Sequence, residues 1–173
     1  HLPTLDYVSI VASLYKDRRA MLVGMAATIS GVMMAAIKTD APLLYAVALA
    51  FVVSTAKRYY NMLAFEDHPP APDDRPSAQS WERRQMVQGT ISAFIYGSWC
   101  FVSLVIVRDP FAVLVAVSVT IAAMIGIVTR NFGADRIVTS QSLAISVPMA
   151  LGFVLLGDGY HMALAALLVP LMI

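Results

Sequence analysis

The sequence holds a single cysteine, Cys100, inside an apolar run, so this chain alone supports neither a disulfide framework nor a cysteine-based metal site. Charge is scarce as well. Asp, Glu, Lys and Arg make up 13% of 173 residues, against about a quarter in an ordinary soluble domain. The 12 basic and 11 acidic residues nearly cancel, which removes any bulk field for a nucleic-acid partner. Patterns for a serine nucleophile, a phosphate loop or a zinc protease are missing. No Asp, Glu, Lys, Arg or His falls in the middle of any long apolar run. Pumps, proton-coupled transporters and voltage sensors place ionisable groups there because the charge is the mechanism, so this lack argues against all three. No ring of carbonyls or charges suggests a channel.

What is present is apolar surface: 59% of the chain is hydrophobic and its mean hydropathy is +0.73. That composition buries more surface than chain entropy costs, which excludes disorder. The expected class is an all-α integral membrane protein. Runs near the 20 or so helical residues that cross a bilayer extend over residues 20–37, 42–56, 86–107, 110–129 and 137–156, with a sixth from Tyr160 onward. The second run is short and needs Lys57, Tyr59 and Tyr60 to anchor at the interface. The sixth stops early and the first residue is His1, so the expectation is a slice of a longer polypeptide.

Tight joints containing Asp link these runs into three helical hairpins: "KTDAP" (38–42), "VRDPF" (107–111) and "LGDGY" (156–160). Pro42 and Pro110 suit the first turn of the helix that follows, where a missing N–H is harmless. Ten basic residues lie on the N-terminal side (Lys16, Arg18, Arg19, Lys57, Arg58, Arg75, Arg83, Arg84, Arg130 and Arg136) and two, Lys38 and Arg108, on the other. The positive-inside rule then puts both termini in the cytoplasm. Residues 1–19 form an amphipathic segment, with Leu5, Val8, Val11, Ala12 and Tyr15 at helical spacing, expected as a short helix on the inner leaflet. Residues 20–173 form the six-helix transmembrane domain. The stretch from Asn61 to Ser80, with Pro69, Pro70, Pro72 and Pro76 among acidic residues, reads as a cytoplasmic connector that bars a regular helix.

Small residues recur in stripes: Gly24 and Gly31 in the first span, Gly89, Ala93 and Gly97 in the third. They let helix backbones approach closely, within one bundle or between two copies. Polar uncharged residues suggest a midplane pocket for a neutral or lipid-like small ligand, with Tyr96, Trp99, Ser118 and Gln141 as its candidates and Pro148 loosening the fifth span. Bonds between helices would occupy the same groups. The rival site is at the outer surface, where Asp109, Asp158, Tyr160 and His161 suit protons or ions. Haem ligation by His161 is the lesser alternative there. His68 stands among Glu66, Asp67, Asp73 and Asp74, a solvated acidic loop rather than a metal site. The methionines, such as Met21 and Met25, read as filling. No catalytic residue and no metal site is expected within these 173 residues.

Six strings taken in order carry a family resemblance: "SLYKDRRAMLVG" (13–24), "WERRQMVQG" (81–89), "SWCFV" (98–102), "DPFAVLVAVSVTIA" (109–122), "RNFGADRIVTSQ" (130–141) and "GDGYH" (157–161). Together they resemble the N-terminal six-helix membrane region found ahead of diguanylate cyclase (GGDEF) domains, sometimes with a phosphodiesterase (EAL) domain behind, in alphaproteobacterial cyclic-di-GMP signalling proteins. The resemblance implies a bacterial inner-membrane sensor and anchor, a homodimer, and a cytoplasmic cyclase downstream that takes GTP and Mg. This segment has no GGDEF or EAL string, so no catalytic residue carries over. The competing class is a stand-alone membrane subunit or small-solute transporter without an output domain.

Overall fold

The computed structural model describes residues 3–16, 18–131 and 134–168. Among them every regular element is helical: α1 Thr4–Ser13, α2 Arg18–Thr39, α3 Pro42–Asp67, α4 Arg75–Phe101, α5 Pro110–Arg130, α6 Asp135–Leu156 and α7 Gly159–Leu168. α4 continues into a π-helical turn, Val102–Val107. Four helical stretches are long and apolar enough to cross a membrane: one within Thr4–Thr39, then Arg75–Val107, Pro110–Arg130 and Asp135–Leu156. α3 is not among them: Lys57 and Arg58 interrupt its apolar first half after Ala56. The sixth expected span depends partly on residues 169–173, which lie outside the described residues.

The helix starts are local chemistry. Pro42 and Pro110 open α3 and α5, and the Asp109 carboxylate accepts from the Phe111 and Ala112 N–H groups at 3.0 Å, satisfying donors that have no intrahelical partner. Each hairpin joint closes on a left-handed residue: Asp40 (φ 49°), Arg108 (φ 56°) and Gly157 (φ 76°). Glycine takes that conformation freely and Asp tolerates it. For Arg108 it costs about 1–2 kcal/mol, partly offset by the bond from its Nε to the Val105 carbonyl at 2.8 Å.

The expected connector from Asn61 to Ser80 is much shorter. α3 runs through Lys57 and Arg58 to Asp67, and α4 begins at Arg75, leaving residues 68–74 between them. Pro76 is tolerated because it sits in the first turn, where its absent N–H would have had no partner, and the Asp74 carboxylate caps the helix by accepting from the Ser77 N–H at 3.0 Å.

α4 is the central helix, and α6 is its closest partner; it also meets α1, α3 and α5, while α2 packs on α3 and α5 and α6 on α7. Trp99, Phe51, Leu44, Ile145 and Met149 are fully buried between them. The apolar stripe of α1 meets protein rather than open space. Val8, Val11, Leu14 and Tyr15 are buried, the Tyr15 ring stacks on Phe65 at 4.2 Å, and its hydroxyl donates to the Trp81 carbonyl at 2.8 Å. Around the outside Val23, Leu49, Phe94, Leu114, Ile125 and Leu155 all stand more than half exposed, a girdle of apolar surface unlike the outside of a water-soluble monomer.

Candidate functional site

Two polar chains cross the bundle. In the first, the Tyr96 hydroxyl on α4 lies 2.7 Å from the Thr28 hydroxyl on α2 and 3.6 Å from the Met25 sulfur. The ring of Phe51 on α3 packs edge-on against both Tyr96 and Trp99, with centroids 4.7 and 5.9 Å apart. In the second, Asn61 Nδ2 on α3 donates to Gln88 Oε1 at 2.6 Å, Gln88 Nε2 donates to the Ser54 carbonyl at 3.3 Å, and the Ser54 and Ser92 hydroxyls lie 2.7 Å apart. These bonds tie α2, α3 and α4 together without a charge, each satisfying a group that would be costly to bury alone.

Of the four residues expected at a midplane pocket, Tyr96 and Trp99 are brought together and Gln141 is buried beside Gly89, its amide over the glycine α carbon. Ser118 is not part of the group. It is exposed on α5, while Thr120, two residues on, is buried and accepts from the Cys100 thiol at 3.2 Å. A step of two residues turns a helix by about 200°, so only one of the pair faces inward. Trp99 Nε1, Ser103 Oγ and Ser146 Oγ are buried with no hydrogen-bond partner, and the first belongs to one of the expected pocket residues.

Sequence reasoning missed Thr28, Met25, Ser54, Asn61 and Gln88. The usable signal was the pair of polar residues placed on each of two neighbouring helices, Ser54 with Asn61 and Gln88 with Ser92. Arg58, read from sequence only as one of the ten basic residues of the joints, is placed differently. Because α3 continues past Ala56, Arg58 stands inside the helix, its Nε buried without a hydrogen-bond partner and within electrostatic reach of Arg130, Tyr96 and Tyr15.

The four residues expected at the opposite end do not come together as one group: Asp158 pairs with His161, and Asp109 pairs with Lys38 instead. Asp109 takes the Lys38 ammonium at 2.6 Å in addition to its two backbone donors, and the ion pair and cap hold its carboxyl below the ordinary carboxylate range. Asp158 accepts from the His161 backbone N–H at 2.9 Å and lies 2.5 Å from the His161 Nδ1; those bonds lower its carboxyl likewise. The His161 ring stacks on Phe153, and Tyr160 is fully open. Among the described residues no group of three or more His, Cys, Asp or Glu is placed to hold a metal ion.

Gly89 and Gly97 both face α6. A Cβ on Gly97 would sit 2.5 Å from the Ile145 carbonyl oxygen and 3.0 Å from that of Ala144. Pro148 has no N–H to return to Ala144, so that carbonyl is free of its usual intrahelical bond and is met instead by the α4 backbone. Ala93, between them, is buried. Gly31 packs near Val115 and Trp99, whereas Gly24 has open space around it.

Two cavities lie at the two ends. The larger, about 700 Å³, is a groove between α3 and α4 lined by Lys57, Arg83 and Arg84 with amide, hydroxyl and apolar neighbours. The smaller, about 510 Å³, is bordered by Pro42, Ile106 and Asp109 at the other end. No family model matches this chain, and comparison with curated proteins and with solved structures gives no significant match.

Proposed function

We propose that this chain is a membrane sensor, anchor and dimerisation module of the bacterial inner membrane that controls an attached cytoplasmic diguanylate cyclase. The observation that carries the membrane part is the segregation of surface. An apolar girdle surrounds the helices, and the order of the apolar runs assigns ten of twelve basic residues to the joints of one side, as the positive-inside rule requires of cytoplasmic segments. Six spans with both termini cytoplasmic follow from that split, with α7 as the start of the sixth. The cyclase part is supported by the resemblance of the six strings, which also implies that the downstream domain takes GTP and Mg. Two cyclase sites must face each other to join two GTP molecules, so a homodimer follows. A stimulus would act by favouring one of two helix packings a few kcal/mol apart.

A stand-alone membrane subunit or small-solute transporter is the second reading. Arg58 favours it, since a half-buried cation within α3 whose Nε lies buried without a hydrogen-bond partner is the kind of group that transport mechanisms retain. The reading frame beyond Ile173 separates the two. A soluble nucleotide-cyclase domain there carries the first reading, and a stop codon soon after overturns it. Reporter fusions that put residues 68–74 outside the cell would sink the orientation.

A further inference from the structure

We propose that the groove between α3 and α4 binds an anionic phospholipid, holding its headgroup phosphate between Lys57, Arg83 and Arg84. These three cations line a space of about 700 Å³ into which no Asp or Glu projects. Two acids on the same helices have other partners: Glu82, next to Arg83 in sequence, accepts from the Tyr7 hydroxyl, and Glu66 on α3 pairs with Arg18 at 2.9 Å. No described carboxylate forms an ion pair with Lys57, Arg83 or Arg84. Three uncompensated cations around one cleft focus positive potential there, and an anion is the occupant that relieves it. Arg84 is positioned in advance, its guanidinium lying over the Trp81 ring at 4.7 Å. Stacking through the ring face keeps the donor edge of a guanidinium for a phosphate oxygen.

The groove changes character along α4, and that distinguishes a lipid from free phosphate. Arg83 and Arg84 stand at the polar end. Val87 and Ile91, about one and two turns further on, line the same groove and are 50% and 49% exposed. Inorganic phosphate would gain nothing from that apolar wall, whereas an acyl chain would cover it. Gln88, pinned by Asn61 at 2.6 Å and by the Ser54 carbonyl, forms a fixed polar floor at the transition. Basic pockets between helices at the cytoplasmic face take anionic headgroups by this combination of charge and depth.

The inference rests on the reading of the bundle as membrane-embedded, and the experiment separates the two. The full chain is placed in phosphatidylcholine nanodiscs and titrated with phosphatidylglycerol, with bound lipid counted by native mass spectrometry. Arg83→Gln with Arg84→Gln is expected to weaken phosphatidylglycerol binding by more than about ten-fold, at about five-fold for each cation. Arg83→Lys with Arg84→Lys should retain most of it, which controls for misfolding. Lys16→Gln with Arg19→Gln removes as much charge outside the groove and should change binding less than two-fold or so. Equal losses in the groove and control variants, or displacement of the lipid by millimolar inorganic phosphate, would overturn the site. A chain that stays in phosphatidylcholine discs yet shows no preference for phosphatidylglycerol overturns the site alone; one that leaves the discs as a soluble protein overturns the membrane reading with it.

Discussion

The α carbon of Gly97 and the carbonyl oxygen of Ile145 approach so closely that a methyl group on Gly97 would lie 2.5 Å from that oxygen. The neighbour is backbone, which cannot swing aside. Gly97→Ala is therefore expected to lower stability by about 1–3 kcal/mol, although alanine gains up to about 1 kcal/mol in helix propensity. Gly24→Ala, with nothing within 4 Å, should be neutral or mildly stabilising. Thermal unfolding in detergent compares the two, and equal effects would refute the close α4–α6 packing.

Gly24 on the open face of α2 also tests association. Gly24→Leu should leave the bundle folded while weakening cross-linking between copies if that face meets a second chain. A native-mass measurement that finds only monomer for the unaltered chain would remove the dimer.

The Tyr96–Thr28 bond joins α2 to α4. Tyr96→Phe is expected to cost about 1 kcal/mol, and Tyr96→Phe combined with Thr28→Val should cost less than the sum of the single changes, because both remove one bond. Additive losses in a thermal-unfolding cycle would show that the hydroxyls act separately.

At the other end, Asp109 has a depressed pKa, chiefly through its bond to Lys38 and then through the backbone donors of α5. A carboxyl whose folded pKa lies below its unfolded one contributes stability above the ordinary carboxylate range, and that contribution is lost as pH falls through the depressed folded value. Acidification below that range should lower the melting temperature, and Asp109→Asn should flatten the decline. Asp158→Asn should act in the same direction, since the His161 backbone and side chain lower its pKa. Unchanged acid profiles in both variants would show that neither pair contributes.

Sensing, as proposed for a chain that controls an attached cyclase, can be tested in the intact protein through that output. Tyr96→Phe with Trp99→Phe, and separately His161→Gln, should alter cyclase output for one set and leave the other near the unaltered level. Trp99 is the sharper probe, because its Nε1 is buried without a partner and its replacement breaks no bond between helices. Unchanged output in both sets would leave the domain as a passive anchor.

The helix starts were legible in the sequence because caps and first-turn prolines act over three or four residues; Asp109 with Pro110 is read the same way from either. Pro76 misled for the same local reason. A proline forbids the helix interior but not its first turn, and only the Asp74 cap shows which applies. Ser118 and Thr120 were indistinguishable as sequence, since α5 is apolar nearly all round and its rotation is set by packing against α2, α4 and α6 together, which buries Ala112, Ala116, Thr120 and Met124. Arg58 was read as part of a joint because hydropathy ends the run at Ala56, while the backbone of α3 continues to Asp67.

Hydropathy, the ten-to-two division of basic residues and the turn chemistry are sums over nearby residues, so the chain by itself determined an all-helical bundle with charged joints. Which polar groups meet was decided only by tertiary packing. The pairing of Tyr96 with Thr28, of Gln88 with Asn61 and of Gly97 with Ile145 depends on the rotation and register of whole helices, and those are set by contacts between residues far apart in sequence.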